Sequence, residues 1–443
     1  MPRDSTWGAE GAWPPCSIRP SGLQQLDIGS LHAGIGMLQI VYAAGRPILT
    51  IVPAPPPVRR ASNWCPESRM CHDGAMDADV LIIGGGIAGL SLAWALAPAR
   101  RVVLVEAEPG LARHTSSRSA RQMQPNYGPP AIRELTLRSI AMVEEISAGL
   151  PAPILKPRPL ITLGTRDEVE ALLAGHPSLT RLTHAETMAR SPELRAEKFQ
   201  VAALDDTAKE VDVPALLDFY RTHALAGGAA ILTGSPATEA APDGQGGFTV
   251  TAGERSISAR VVVNAAGAWA DGMARLFGAQ PRGLVPYRRS VAIVSTEHPV
   301  DPAGPMVEPA DESYYYRPDG GHLLISPCES VPAPAGDAQV VVEDIARLIR
   351  RIGEVTTVGP AGVVRAWTGL RTEAADGLPV VGFDSLVPNF FWLAGQGGYG
   401  IQTSAALATL SAQLIRGGLA ETDAGLAAAL SPQRAGLGRP APA

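Results

Sequence analysis

The chain has 443 residues, enough for two domains or one large composite domain. Hydrophobic residues make up 46% and charged residues 18%, a balance that is typical of globular proteins and excludes an intrinsically disordered chain. The formal net charge of −6 argues against a nucleic-acid-binding surface, although local arginines would still bind small anionic or zwitterionic molecules.

Cysteine usage and hydropathy exclude several further classes of protein. The four cysteines are Cys16, Cys65, Cys71 and Cys328. This uneven distribution argues against a disulfide framework and fits a reducing cytoplasm. Their spacing matches no zinc pattern, so no metal site is predicted. No apolar run reaches the ~18 residues of a membrane helix, so no membrane span is predicted either.

Residues 1–76 differ from the rest of the chain. Pro, Gly, Ser and Arg are frequent there, hydrophobic periodicity is weak, and prolines cluster between Pro53 and Pro57. We predict that this segment is disordered, or an extension upstream of the true start of the protein, and that limited proteolysis removes it.

A nucleotide-binding motif follows this segment. An apolar run over 78–83 leads into G-x-G-x-x-G, a helix is predicted over 90–97, and a second apolar run ends on Glu106. The motif glycines are Gly84, Gly86 and Gly89. The first permits a tight turn, the second lets backbone approach a pyrophosphate, and the third lets helix and strand pack closely. The helix N-terminus offers N–H groups to phosphates, and the acid suits the hydroxyls of an adenosine ribose.

The remaining elements follow in chain order. Apolar spacing predicts a helix over 129–149, with apolar positions Ile132, Leu135, Leu137 and Ile140. A second helix is predicted over 213–226, with Asp212 as its N-cap and Pro214 at its first position. Further helices are predicted over 343–352 and 401–415. Strands are predicted over 160–163, 229–233, 248–251, 260–267, 287–295, 314–326 and 390–394.

This order predicts a discontinuous two-domain α/β protein. Nucleotide-binding segments at both ends form a Rossmann-like domain, in which helices flank a parallel sheet. An antiparallel-sheet substrate domain is inserted between them. The first domain takes 77–150, 211–280 and 365–434, and the second takes 151–210 and 281–364.

Seven motifs carry a family resemblance. They are H-T-S-S-R-S-A at 114–120, N-Y-G at 126–128, V-N-A-A-G-A-W at 263–269, R-R-S at 288–290, D-E-S-Y-Y at 311–315, W-T-G-L-R at 367–371 and Q-G-G-Y-G-I-Q at 396–402. From residue 77 to about residue 434 the chain resembles the D-amino-acid oxidase-like superfamily of FAD-dependent amine and amino-acid oxidoreductases. Within it, the chain is most similar to the D-arginine/D-amino-acid dehydrogenase branch.

The resemblance implies FAD bound non-covalently in an extended pose. Some relatives attach flavin through a cysteine near the second glycine-rich region, but Cys328 lies far upstream of it. The implied FAD-binding residues are Gly84, Gly86, Ala88, Gly89, Glu106, Ala107, Thr115, Ser116, Ser117, Arg118, Ser119, Ala120, Arg121, Gln122, Ala237, Gly397, Gly398, Tyr399, Gly400, Ile401 and Gln402. The last segment is also predicted to open the final helix, whose dipole would stabilise negative charge on reduced flavin. A glycine-rich turn without a chemical role is the alternative.

The resemblance also implies two residues that hold a substrate carboxylate. Arg371 matches the family's carboxylate-binding arginine, and its planar fork suits that task. A structural ion pair with Glu373 or Asp376 is the alternative. Tyr315 matches a tyrosine that donates to the same carboxylate, with its neighbours on the opposite face of the strand. A tyrosine packed in the core is the alternative there.

Three further substrate residues are implied. Tyr127 resembles a lid tyrosine, Arg289 resembles a polar wall residue, and the carbonyl of Gly398 matches one that accepts from the substrate amine. Because Arg289 adjoins Arg288, either could instead be a solvated surface charge.

The implied reaction is oxidative deamination of a D-amino acid. A hydride passes from Cα to flavin N5, and the imino acid is hydrolysed to a 2-oxo acid and ammonia. Leu160 stands where the basic-substrate branch has an acid, and Gln122 replaces a histidine. Leucine would leave a cationic side chain unpaired, so we expect neutral or apolar D-amino acids to be better substrates than D-arginine. The electron acceptor, whether oxygen, a quinone or a carrier protein, is left open.

Three alternatives to a D-amino-acid dehydrogenase stay open. The chain could be an oxidase of glycine, sarcosine or another secondary amine, or a 2-hydroxy-acid dehydrogenase. It could also be a FAD-binding subunit that needs a partner for turnover, although Arg371 and Tyr315 argue against that.

Overall fold

The computed structural model describes residues 38–43, 46–51 and 75–437. The chain divides into two units, residues 1–68 and 69–443. In the first unit, β1 (Leu38–Ala43) and β2 (Arg46–Ile51) form an antiparallel pair. Most of the segment predicted to be disordered or spurious, residues 1–76, lies outside the described residues, so that hypothesis stays a prediction.

The second unit alternates strands and helices. Its strands are β3 (Ala75–Ile83), β4 (Val102–Val105), β5 (Gln122–Met123), β6 (Leu155–Pro157), β7 (Leu160–Gly164), β8 (Thr180–Leu182), β9 (Val201–Asp205), β10 (Lys209–Val211), β11 (Ala230–Leu232), β12 (Ala237–Pro242), β13 (Phe248–Ala252), β14 (Arg255–Asn264), β15 (Val285–Thr296), β16 (Met306–Pro309), β17 (Tyr315–Asp319), β18 (His322–Ser326), β19 (Val331–Pro332), β20 (Pro360–Glu373), β21 (Val380–Phe383) and β22 (Phe390–Ala394). Its α-helices are α1 (Ile87–Leu96), α2 (Pro130–Ser147), α3 (Arg166–Gly175), α4 (His184–Arg190), α5 (Val213–Ala226), α6 (Ala270–Leu276), α7 (Val342–Val355), α8 (Ser404–Arg416) and α9 (Ala424–Leu430).

A mostly parallel sheet brings the glycine-rich segments together. Strands β11, β4, β3, β14 and β22 are parallel neighbours in that order. Parallel strands end at one edge of a sheet, so the segments after β3, β4, β14 and β22 meet there. The β12–β13 hairpin and β21 extend this sheet in antiparallel fashion.

Both faces of this sheet are covered, which explains why its strands are almost wholly apolar. On β3, Val80 and Ile82 pack into a cluster with α1, α5 and α8. The intervening Leu81 and Ile83 pack into a second cluster with β13 and α6. Nine-tenths or more of each of these side chains is buried.

A second, largely antiparallel sheet has the order β19-β15-β18-β17-β16-β7-β9-β8, and β20 pairs with β15. Only the β7–β16 pairing is parallel among its described strand pairs. A small sheet of β5, β10 and β6 completes the unit. The predicted domain boundaries need correction, because 364/365 cuts β20, which belongs to the second sheet, and 210/211 cuts β10.

Several predicted elements also differ in detail. Leu137 on α2 is 56% exposed rather than buried. Pro214 is the second residue of α5, although Asp212 caps the helix as predicted. The segment 314–326 folds into two strands, β17 and β18, and the helix predicted over 401–415 begins at Ser404 and is followed by α9. Within 75–437, no helix is both long and apolar enough to cross a membrane.

Candidate active site

The glycines of the motif form a tight strand–turn–helix junction. Gly84 directly follows β3 and has a φ of +112°, and a Cβ there would lie 2.4 Å from the carbonyl oxygen of Ala265. A Cβ at Gly89 would lie 1.9 Å from the carbonyl oxygen of Gly84. Only glycine fits both places, as the motif predicts.

The N-terminus of α1 faces the serine-rich segment that follows β4. Ile87 N–H donates to Ser116 Oγ at 2.9 Å, and a Cβ at Gly86 would lie 3.2 Å from the same oxygen. Glu106 turns back to the motif, where one carboxylate oxygen accepts from Gly85 N–H at 2.6 Å. This arrangement of backbone N–H groups and an acid fits the pyrophosphate and ribose of a dinucleotide.

A cavity lies at this edge of the parallel sheet and is lined by both large sheets. The predicted FAD-binding residues that line it are Gly86, Ala88, Thr115, Ser116, Arg118, Ser119, Ala120, Gln122, Gly397, Gly398, Gly400, Ile401 and Gln402. It is also lined by every residue predicted around the substrate, namely Arg371, Tyr315, Tyr127, Arg289 and Gly398. Residues far apart in sequence thus converge on one place.

Other predicted FAD-binding residues lie outside the cavity lining. Gly84 and Gly89 shape the junction behind it, and Glu106 contacts the same turn. Ala107 is exposed on the segment after β4, and Ala237 begins β12 at the far side of the parallel sheet.

Three more predicted FAD-binding residues, Ser117, Arg121 and Tyr399, do not line the cavity. Ser117 Oγ donates to backbone carbonyls of the preceding turn. Arg121 forms an ion pair with Asp319. Tyr399 packs its ring 5.3 Å from that of Tyr127. The helix dipole predicted at 397–402 is also displaced, because α8 begins only at Ser404.

Hydrogen bonds join the serine-rich segment to the strand that carries Arg371. Thr115 Oγ1 donates to the carbonyl of Leu370 at 2.7 Å and accepts from Leu370 N–H at 3.2 Å. Arg118 Nη1 donates to the carbonyl of Thr368 at 2.6 Å. The cavity wall on this side is therefore continuous between the two sheets.

Arg371 presents a guanidinium that has no ion pair or hydrogen bond with any other residue in 75–437. A Cβ at Gly398 would lie 2.8 Å from its Cζ and Nη1, so the backbone of Gly398 is packed against it. Asp376 pairs with Arg434 at 2.6 Å instead, which removes one alternative for Arg371. Burial would lower the pKa of Arg371, but nearby acidic groups, Tyr127 first, outweigh it and raise the pKa.

Tyr315 adds a free hydroxyl to the same wall. Its side chain is 5% exposed, and its Oη has no hydrogen-bond partner in the described part of the chain. Tyr314 and Tyr316 pack on the opposite face, in the core of the second sheet, as the alternation predicts. Burial raises the pKa of Tyr315, so the phenol stays protonated and able to donate.

Arg289, rather than its neighbour, faces the cavity. Its Nε donates to the carbonyl of Glu329 at 2.7 Å, which fixes the side chain at the wall. Arg288 lies 3.6 Å from Asp344 instead. Tyr127 lies where burial raises its pKa despite the nearby Arg371.

Two cavity-lining acids, Glu308 and Glu312, escaped the sequence analysis. Burial and the carboxylate of Glu312 raise the pKa of Glu308 to about 8. Leu160, which suggested a wall without acids, is buried beside Tyr315 and Leu324 and does not line the cavity. The physical reason given for preferring apolar substrates was therefore wrong. In the sequence, the signal for Glu308 is a single acid at an alternate position of the short strand β16.

Cys328 also lines the cavity, although it was set aside as too distant in sequence. Burial raises the pKa of its thiol to about 11, so little thiolate forms near neutral pH. Because the thiolate is the nucleophile, this environment does not favour attachment of a flavin.

The site can be compared with known proteins. Residues 79–414 match the family model described as FAD dependent oxidoreductase. Glycine oxidase of Geobacillus kaustophilus (strain HTA426) is 27% identical over 359 residues, which cover 76% of this chain and 92% of that protein. Mitochondrial dimethylglycine dehydrogenase of Rattus norvegicus is 28% identical over 361 residues, covering 73% of this chain but 41% of that longer protein.

Solved structures agree on the fold. The crystal structure of glycine oxidase from Geobacillus kaustophilus has a TM-score of 0.72 and 24% identity, over 81% of this chain and 99% of that chain. L-proline dehydrogenase from P. horikoshii has a TM-score of 0.70 and 19% identity, over 81% of this chain and 98% of that chain. The resemblance to the superfamily is thus confirmed, whereas the D-arginine branch is not. The chain belongs to the family of FAD dependent oxidoreductases, and FAD is its cofactor.

Proposed function

We propose that the protein catalyses FAD-dependent oxidative deamination of D-amino acids to 2-oxo acids and ammonia. The proposal depends on one observation: the guanidinium of Arg371 and the hydroxyl of Tyr315 face the same cavity without partners among the described residues. Two such donors fit a carboxylate, and an arginine fork binds it at two points.

The protein residues would position the substrate for the reaction. With its carboxylate on Arg371, the substrate amine can donate to the carbonyl of Gly398, which packs beside that guanidinium. Two anchors of this kind fix the direction of the Cα–H bond, and such orientation lowers the barrier substantially. FAD, when bound, supplies the acceptor for the hydride.

Anaerobic mixing of the yellow holoenzyme with single compounds tests the proposal. D-alanine should bleach the flavin without any partner protein, and D-lactate and L-alanine should not. Arg371→Met should raise the apparent Kd for D-alanine on the order of 100-fold, because a charge-assisted hydrogen-bond pair is lost. The matched control is Arg365→Met on the same strand, whose side chain is exposed over Trp367. No bleaching with any amine would refute the proposal.

A second candidate is an oxidase of glycine or N-methylated glycine. It is favoured by the relatives named glycine oxidase and dimethylglycine dehydrogenase. Oxygen uptake with glycine and N-methylglycine, measured beside D-alanine, separates the two. The non-covalent attachment of FAD and a cytoplasmic location stay predictions.

A further inference from the structure

The cavity wall carries two acids besides its arginines. Glu308 on β16 and Glu312 in the turn before β17 both line it. Neither carboxylate has an ion-pair partner within the described ranges. Glu312 also holds a left-handed φ of +52°, which is unusual for a residue other than glycine. Glu308 is half-buried and Glu312 is exposed. Two acids that line a cavity without a positive partner among the described residues are suited to bind a cationic group of a ligand.

A second feature of this wall supports the binding of a ligand. The hydroxyl of Tyr315 is buried, lines the same cavity and lacks a hydrogen-bond partner among the described residues. The wall therefore presents a hydroxyl and the guanidiniums of Arg371 and Arg289 together with two carboxylates. A ligand that carries both a carboxylate and a cation matches this set of charges.

We propose that Glu308 and Glu312 form the ammonium-binding part of the cavity, so that the substrate enters as a zwitterion. Its carboxylate meets Arg371 and Tyr315, and its ammonium meets the two glutamates. This inference rests on the proposed function and narrows the substrate class. Acids that lack an amine, such as 2-hydroxy acids, gain nothing from the glutamates.

The arrangement also gives the ammonium proton a destination. A hydride can leave Cα only when the nitrogen has a lone pair, so one N–H bond must break first. The proton passes to a glutamate carboxylate and forms an O–H bond there. The ammonium becomes a neutral amine and the carboxylate becomes a carboxylic acid, so charge and atoms balance.

A matched pair of ligands tests the inference on the holoenzyme. D-alanine is the zwitterion, and propionate has the same carboxylate without the ammonium. Propionate binding is read from the flavin absorbance, and the apparent Kd for D-alanine is read from anaerobic bleaching. In Glu308→Gln and Glu312→Gln, assayed above pH 8 so that Glu308 is mainly ionised, the D-alanine Kd should rise at least about tenfold. The propionate Kd should stay the same or fall, because a like charge has been removed.

Controls separate a specific effect from damage to the fold. Glu254→Gln, an exposed residue between β13 and β14, should leave both constants unchanged. Glu308→Asp and Glu312→Asp should recover part of the D-alanine affinity. An unchanged D-alanine Kd, or an equal rise for both ligands, would overturn the inference. Failure of the proposed function is a different result, in which the wild-type flavin is not bleached by any amine.

Discussion

At the scale of single residues, the site depends on backbone and side chain meeting closely. Gly398 has no side chain, and its backbone packs against the guanidinium of Arg371. The motifs identified both residues, because each belongs to a recognisable segment. Glu308 belongs to no motif. Its place at the cavity wall, near the carboxylate of Glu312, depends on the fold and is not visible in the linear sequence.

Gly398→Ala should displace Arg371, the arginine proposed to bind the substrate carboxylate. The new Cβ would lie 2.8 Å from Cζ and Nη1 of Arg371, closer than atoms tolerate, so the guanidinium must move. We expect the KM for D-alanine to rise at least about tenfold, since misplacement of about 1 Å is costly in catalysis. Gly425→Ala on α9, where a Cβ meets open space, is the control. Equal kinetics in the two variants would contradict the described packing.

Flavin reduction should depend on pH through Glu308. Its raised pKa of about 8 means that it is mainly protonated below that pH and mainly ionised above it. Only the ionised form accepts a proton from the ammonium, so the reduction rate should rise across pH 8, and Glu308→Gln should lose that rise. Other charged or titratable groups share the cavity, so each pH series is compared with the variant. They are Glu312, Tyr127, Tyr315, Cys328, Arg118, Arg289 and Arg371. If the wild type and Glu308→Gln show the same dependence of the flavin reduction rate on pH, Glu308 does not accept the proton.

At the scale of elements, the small sheet of β5, β10 and β6 supports the cavity wall from behind. Gln122 on β5 donates from Nε2 to the carbonyl of Arg158 at 2.8 Å. Arg158 pairs with Glu210 on β10 at 2.6 Å, and the buried Arg317 lies 3.1 Å from the same carboxylate. Sequence reasoning could not find this network, because its members lie on different strands and are far apart along the chain.

Glu210→Gln should destabilise the protein, because two buried arginines lose their counter-charge. Removing one partner of such a group costs about 3 kcal/mol in the free energy of unfolding. Glu144→Gln is the control, because it removes the exposed ion-pair partner of Lys209, a neighbour of Glu210 on β10. It should lower the free energy of unfolding by less than about 1 kcal/mol. Chemical denaturation of the holoprotein measures both variants. A smaller loss at 210 than at 144 would refute the role of the network.

The same carboxylate predicts the direction of acid destabilisation. Burial would raise the pKa of Glu210, but Arg158 and Arg317 outweigh it and lower the pKa in the folded state. Its contribution is therefore present above the unfolded pKa and is lost as pH falls through the folded value. Glu210→Gln should narrow the stability difference between pH 7 and pH 3.

Two short helices show what local pattern could have revealed. Helices α3 and α4 each begin with a capping box, Thr165 with Glu168 and Thr183 with Glu186. The spacing T-x-x-E is a sequence signature of a helix start. Neither helix was predicted, although the capping signal is present in the sequence of each.

At the scale of the whole molecule, the division into a nucleotide sheet and a substrate sheet was predictable, but its borders were not. Hydrophobic runs and the glycine-rich motif fix the parallel sheet. The predicted border at 364/365 is wrong because it cuts strand β20. This strand begins exposed in the second sheet and ends at the cavity with Arg371. Strand β20 belongs to the second sheet because it pairs with β15, and this pairing is visible only in the folded chain.

The prediction that the N-terminal segment is disordered or an upstream extension can be tested on a shortened chain. If residues 1–68 contribute nothing to the FAD-binding fold, a chain that begins at Arg69 should bind FAD and melt at the same temperature as the full chain. Residues 69–443 form a separate unit, which supports this expectation. A large drop in melting temperature would contradict it.

The hydrogen bonds between Thr115 and Leu370 have a consequence for how the enzyme keeps its coenzyme. They join the segment proposed to hold FAD to the strand that carries Arg371, which is proposed to bind the substrate carboxylate. A carboxylate bound to Arg371 should therefore stabilise the FAD-binding segment. A saturating carboxylate inhibitor should lower the rate at which FAD dissociates from the protein. Thr115→Val removes the hydroxyl that makes these hydrogen bonds, so the inhibitor should no longer slow the dissociation of FAD.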